Sequence, residues 1–275
     1  MKLRNFMSDI TNIKGKTGVI MGIANDRSIA WGIASALSKQ GANLIFSYPN
    51  ESIKKRVEPL AGKCNSKGFF LCDVSNENDI KSFFDTVSSK FGSIDFLVHS
   101  IAFSDKDELK GEYVETSKEN FLKTMDISCY SFTSVCKYAS KIMTNGGNIL
   151  TLSYYGAEKV MPHYNVMGIA KSALETSVKY IATDLGKKNI RVNAISAGPI
   201  KTLASSGISD FKYILKWNEY NAPLKRTITI EEVGMNAIYL LSDLSAGVTG
   251  EIVHVDCGYH VVGMKAVDAP DISVV

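Results

Sequence analysis

Seven short apolar runs alternate with six longer amphipathic ones, and this alternation constrains the chain more than any other feature. Residues 17–21, 43–47, 69–72, 96–99, 148–152, 191–195 and 252–255 read as strands. Residues 29–40, 51–61, 77–91, 117–143, 163–187 and 229–242 read as helices. Parallel strands need such crossovers, so the pattern predicts an α/β fold, a doubly wound Rossmann-type parallel sheet of about seven strands with helices on both faces. Gly41 after the first helix and Gly186 after the fifth fit helix stops. The absence of a linker or repeat predicts one catalytic domain over 1–275, with an irregular tail at 263–275.

Composition narrows the function. A net charge of +3, from 31 basic and 28 acidic residues without a block of like sign, gives nucleic acid no obvious footprint. No run approaches the roughly 18 apolar residues of a membrane span, and the first 16 residues lack the apolar stretch of a signal peptide. The five cysteines are an odd number without CxxC spacing. They suggest neither a disulfide framework nor a metal cluster, and a cytoplasmic location is expected.

Tyr164 and Lys171 are the residues most suggestive of chemistry. Seven positions on a helix are almost two turns, which predicts that phenol and ammonium share a face. A cation there favours the hydrogen-bonded or ionised phenol, suited to a developing oxyanion. Ten residues earlier, Tyr154 follows the fifth strand, where open α/β sheets bind ligands. In isolation each is more readily a packing tyrosine or a solvated lysine; it is the spacing that favours function.

Between the first strand and first helix lies Gly22-Ile-Ala-Asn-Asp-Arg-Ser28, followed by Ile29. Small residues let the backbone approach a pyrophosphate, and Ser28 is placed to cap the helix whose N-terminus faces the anion. An ordinary turn and cap would look the same. After the second strand, Ser47-Tyr48-Pro49-Asn50 offers neither an acid for a ribose nor a cation for a 2′-phosphate. NADH is therefore expected over NADPH, although Arg27 lies in the nearby loop.

Ordinary short-chain dehydrogenases carry Tyr-x3-Lys, yet Met167 stands four residues before Lys171. The longer spacing, the Gly-x5-Ser-x-Ala loop, His99-Ser-Ile-Ala-Phe103 and the ending from Ser242 to Asp256 resemble the divergent branch of that superfamily, the bacterial-type NADH-dependent enoyl-acyl-carrier-protein reductases. The resemblance runs from Lys16 to about Met264. It implies reduction of the 2,3 double bond of enoyl thioesters on acyl carrier protein, the last reductive step of each fatty acid elongation cycle. Tyr154, Tyr164 and Lys171 are the implied catalytic set, with Tyr164 on the enolate oxygen and Lys171 on the nicotinamide ribose. The implied substrate contacts are Ser104, Tyr154 and Tyr164.

The same resemblance implies that Asp73 and Val74 hold the adenine, although Asp73 would equally serve as the cap of the helix at 77–91. Ile101 would line the cofactor cleft, and Ile200, Lys201, Thr202, Leu203 and Ala204 would close over the nicotinamide. It also implies a mobile substrate segment at 205–221 with Ser205-Ser-Gly207 as its hinge. Lys212 and Lys216, four apart on this segment, could dock an acidic carrier protein, although such a pair is more often a solvated face; the resemblance also implies a homotetramer. Cys257 stands where the family commonly has glycine. His99 is expected to pack, and Ser153 to be structural. Two competitors remain: a short-chain carbonyl reductase, disfavoured by Met167, and a non-catalytic dinucleotide sensor.

Overall fold

A computed structural model describes residues 10–64, 66–203, 205 and 208–272. Among them, strands β1 (Thr17–Met21), β2 (Asn43–Tyr48), β3 (Gly68–Leu71), β4 (Phe96–His99), β5 (Gly147–Ser153), β6 (Ile190–Ala197) and β7 (Ile252–Val255) form one sheet in the order 3-2-1-4-5-6-7. Every pairing is parallel. The helices are α1 (Ile29–Lys39), α2 (Glu51–Lys63), α3 (Glu77–Phe91), α4 (Lys118–Met125), α5 (Ser131–Ile142), α6 (Asn165–Gly186), α7 (Phe211–Asn221) and α8 (Ile230–Leu241). None of the described helices is long and apolar enough to cross a membrane.

Strand alternation divides the core. Ile20, Leu44, Phe46, Val98 and Leu150 pack on one face with Ile33 and Leu37 of α1 and Val233 of α8. Val19, Met21, Ile45, Leu97, Val192 and Ala194 pack on the other with Phe83 of α3, Phe132 of α5 and Leu174 of α6. Each fully buried side chain of this size contributes about 1.5–3 kcal/mol of transfer free energy. These two layers cover both faces, which is why the strands are continuous apolar runs rather than alternating ones.

The chain winds from β1 to β2 and β3 on one side, then restarts at β4 beside β1. Such a reversal opens a crevice beyond the carboxyl ends of β1 and β4. There the chain carries Gly22 at φ 97°, and a Cβ on it would stand 1.9 Å from the Ser100 carbonyl oxygen. The glycine is needed for that close approach.

Three helix readings need correction. Residues 117–143 are not one regular helix: a π-turn, Asp126–Tyr130, separates α4 from α5. The Ser131 hydroxyl donates back to Ile127 O (2.7 Å) at this turn. Gly186 is the last residue of α6 rather than the stop after it; the left-handed position falls at Asn189, φ 56°. Helix α6 also starts at Asn165, not at residue 163, because His163 takes a left-handed φ of 55° that interrupts the run before it. Gly41 is left-handed as expected, at φ 85°. So is Cys257, at φ 59°, a conformation that favours glycine.

Past β7 the chain is irregular but tied down. Ala266 N donates to Asn221 Oδ1 (2.8 Å), and Lys225 pairs with Asp268 (3.1 Å). The last three residues of the expected tail lie outside the described residues.

Candidate active site

The first loop meets the crevice as a phosphate cradle would. Ser28 occupies the N-cap position of α1, but its side chain makes no capping bond, contrary to expectation. Instead its hydroxyl donates to Asn25 O (2.5 Å) and accepts from Ala24 N (3.4 Å), tying the loop to itself. The first turn of α1, starting at Ile29, is thus left without a side-chain cap and holds no acidic residue. A helix end in that state favours an anion. The bare α-carbon of Gly22 and this uncapped turn fit the pyrophosphate of a dinucleotide.

At the end of β2, Tyr48 is buried against Phe69, with ring centroids 4.4 Å apart. Asn50 caps α2 by accepting from Ile53 N (3.1 Å). A cation does reach this place: Lys54 Nζ lies 5.6 Å from the Tyr48 centroid, paired with Glu51 at 3.3 Å. The sequence reading weighed residues 47–50 and Arg27, and missed it. Asp73 does not cap α3, a job taken by Asn76; its Oδ1 accepts from Ser75 N (3.0 Å) and Ser75 Oγ (2.7 Å). Val74 beside it is buried.

The floor of the site is a polar tier set into the apolar core. His99 at the end of β4 is fully buried and bridges Thr151 Oγ1 (3.2 Å) and Ser131 Oγ (2.9 Å). Burial, helped by the Lys171 charge, pushes its imidazole down to about 3, so it is neutral at physiological pH. This agrees with a packing role. The loop after it is held by Ser128 on the π-turn, whose hydroxyl donates to Phe103 O and accepts from Phe103 N, both at 2.9 Å. Ile101 is half-buried against the α6 side of the core. The Ser104 hydroxyl accepts from Thr124 Oγ1 (2.9 Å) and Asn120 Nδ2 (3.2 Å), which engages it with α4.

Lys171 is 6% exposed, and its ammonium donates to the Leu152 carbonyl (2.7 Å). Burial lowers it to about 8, opposed by Cys129 and Glu175. Ser153 next along β5 donates to Glu175 Oε1 (2.5 Å). Tyr154 and Tyr164 meet edge-to-face, centroids 5.1 Å apart at 75°. They share an apolar cluster with Leu109, Met161, Val166 and Met167.

Of the two states expected for the phenol, hydrogen-bonded or ionised, burial disfavours the ionised one. Burial raises Tyr164 well above an ordinary tyrosine, and Tyr154 and Glu175 raise it further. Tyr154 is raised as well, chiefly by burial. Both are neutral phenols rather than phenolates. The helical-face argument is corrected too, because Tyr164 is the N-cap of α6 and not within it.

Beyond β6, Thr202 and Ser205 exchange bonds: Thr202 N donates to Ser205 Oγ (2.8 Å) and Ser205 N to Thr202 Oγ1 (3.1 Å). Ile200 is half-buried, while Lys201 and Leu203 are exposed. Ala204 and the hinge residues Ser206 and Gly207 lie outside the described residues. Helix α7 begins after Asp210 (φ 56°), whose carboxylate meets His163 Nε2 at 3.0 Å, next to Tyr164. Trp217 Nε1 donates to Tyr259 OH (2.9 Å), and Ile214 is buried, whereas Lys212 and Lys216 are exposed.

Sequence reasoning missed Thr151, Ser131, Ser128 and Glu175. For Glu175 a signal existed, since it lies four residues after Lys171 on the same helix. Ser128 had none, because its role depends on the π-turn.

Comparison with known proteins bears on all of this. A family model described as Enoyl-(Acyl carrier protein) reductase matches residues 22–260. The chain is 66% identical to enoyl-[acyl-carrier-protein] reductase [NADH] 1 of Rhizobium meliloti, over 95% of this chain and 96% of the relative. It is similar in structure to the Anaplasma phagocytophilum reductase solved with NAD: TM-score 0.91, 60% identity, 95% of this chain and 98% of that one. The Bacillus cereus reductase solved with NADP+ and an indole naphthyridinone gives a TM-score of 0.90 at 52% identity, over 92% and 99% of the two chains.

Proposed function

The chain belongs to the enoyl-(acyl carrier protein) reductase family, and on that premise we propose Tyr154, Tyr164 and Lys171 as its catalytic set. It is an NADH-dependent oxidoreductase that reduces the 2,3 double bond of enoyl thioesters on acyl carrier protein in fatty acid synthesis. When bound, NADH supplies the hydride. The residues proposed to hold it are Gly22, Ser28, Ile29, Asp73, Val74, Ile101, Lys171 and the 200–204 segment.

One observation carries the assignment: the buried Tyr164 ring stands edge-to-face with half-buried Tyr154 just past β5, where the buried Lys171 ammonium is fixed on the Leu152 carbonyl. Reduction at the β-carbon drives negative charge onto the thioester oxygen. A neutral phenol in a dry pocket donates a hydrogen bond to that charge without reorganisation. Tyr164 is the donor, and Tyr154 packs its ring and lines the acyl site. Lys171, fixed on the Leu152 carbonyl, directs its remaining donors to ribose hydroxyls. Leu109, Met161 and Met167 keep water from the reacting carbon.

The aromatic face of α7 covers the acyl chain, and exposed Lys212 and Lys216 meet the acidic carrier. The assembly is a homotetramer, a reading supported by Met235, 61% exposed, and Val261, 70% exposed, near the edge strand β7. Five free, buried thiols suit the reducing cytoplasm. Oxidation of NADH with a crotonyl thioester, set against an acetoacetyl thioester, tests the reading. Turnover of the first alone is expected; reduction of only the second would assign a carbonyl reductase, and of neither a sensor.

A further inference from the structure

Consecutive residues at the end of β5 are both bonded to α6, and their partners lie one helical turn apart. Leu152 O accepts from Lys171 Nζ at 2.7 Å, and Ser153 Oγ donates to Glu175 Oε1 at 2.5 Å. The second separation falls in the range of a hydroxyl donating to an ionised carboxylate. Residues four apart on a helix share a face, so the carboxylate stands on the same side as the ammonium. The two bonds form a clamp between strand and helix, with one charge of each sign inside it.

The surroundings explain why the negative charge is needed. Lys171 is nine-tenths buried, and a buried ammonium loses its proton unless a neighbour compensates. His99 faces it from β4 but is neutral, and Cys129 faces it from the π-turn as a thiol raised by burial. Glu175 is the carboxylate on its own helix. On its far side Glu175 faces Glu158, from the turn Tyr155–Ala157 and its cap, and His254 from β7. Those two satisfy each other at 2.6 Å. Burial raises the Glu175 carboxyl; the Ser153 bond is the main influence that draws it back, and the Lys171 charge adds to it.

We propose that Glu175, pinned by Ser153, is a positioning residue for the reductase reaction: it holds the Lys171 ammonium at the Leu152 carbonyl and keeps it charged for the cofactor. The inference rests on the reading of Lys171 as the cofactor's cation. A surface pair at this spacing contributes little to a helix, so a purely structural role would be small. Here the ammonium is out of water, and the coupling acts on its protonation.

The test separates charge from shape. Glu175→Gln keeps an oxygen for Ser153 but removes the charge. Its profile of kcat/KM against pH, with NADH and a crotonyl thioester, is expected to keep its shape while the alkaline limb moves down by about one pH unit. NADH affinity, read by fluorescence titration, should be near wild type at acidic pH and several-fold weaker at mildly alkaline pH. Superimposable profiles, with any loss confined to thermal stability, would overturn the proposal. Should Glu175→Gln fail to fold, Ser153→Ala frees the carboxylate while keeping its charge. A smaller shift in the same direction is then expected, and none would overturn the idea. Lys171→Ala guards the premise: unchanged NADH affinity there would remove the role of Lys171 itself, whatever Glu175 does.

Discussion

The ring of Tyr164 rests on the bare α-carbon of Gly156. A Cβ at that glycine would stand 2.4 Å from Tyr164 Cδ1 and 3.2 Å from Tyr154 Cδ1. Backbone φ is not the reason for glycine here, since Gly156 is not among the left-handed residues. The space is. Both phenols take their places because one residue between them has no side chain.

Gly156→Ala should therefore push the Tyr164 ring aside. Overpacking of this kind costs about 1–3 kcal/mol in stability. Turnover is expected to fall more than NADH affinity, since the phenol and not the cleft is displaced. Steady-state kinetics together with cofactor titration will show it, and an equal loss in both would point to a wider collapse.

Tyr164→Phe keeps the ring and removes the donor. Losing one donor to a developing oxyanion costs about 10²–10³ in kcat. NADH affinity should stay within a small factor of wild type. Full activity with an enoyl thioester would remove Tyr164 from its role.

Lys171 ties stability to pH. Its folded value, about 8, lies below the unfolded 10.5 because burial disfavours the charge. The unfolded chain thus binds more protons between those values, and stability from this group rises with pH across that window, to be lost as pH falls through about 8. Wild type is expected to gain on Lys171→Met between pH 8 and 10.5 in chemical denaturation. Activity should run the opposite way, because the charged form is the useful one. Parallel stability curves for the two proteins would contradict the burial account.

Helix α7 should be protected from hydrogen exchange only when the cleft is filled. Its attachments to the rest of the chain include the Asp210–His163 pair and the Trp217–Tyr259 bond, both near the surface. Exchange on the free, NADH-bound and acyl-mimic ternary enzymes measures this. Equal protection in all three would make α7 a fixed part of the core.

Much of the fold was legible because its signals are local. The apolar runs at 17–21 and 96–99 coincide with β1 and β4, since a strand buried on both faces needs consecutive apolar residues, and the run at 252–255 coincides with the half-buried edge strand β7. The helix at 77–91 coincides with α3 for the same kind of reason, an apolar stripe with Asn76 before it. The spacing from Tyr164 to Lys171, and Met167 between them, separated this chain from ordinary short-chain dehydrogenases. Tertiary structure decided the rest. Whether Tyr164 is a phenolate or a neutral donor depends on burial and on the neighbouring Tyr154 and Glu175, which no spacing encodes. Ser28 turned from helix cap to loop tie because the folded loop sets its hydroxyl between Ala24 N, from which it accepts, and Asn25 O, to which it donates, rather than at the helix N–H groups. The clamp of Leu152 and Ser153 on Lys171 and Glu175 exists only once β5 lies under α6. Patterns along a chain specify which elements form; protonation and hydrogen-bond partners belong to atoms that meet across the fold, and those the packing alone selects.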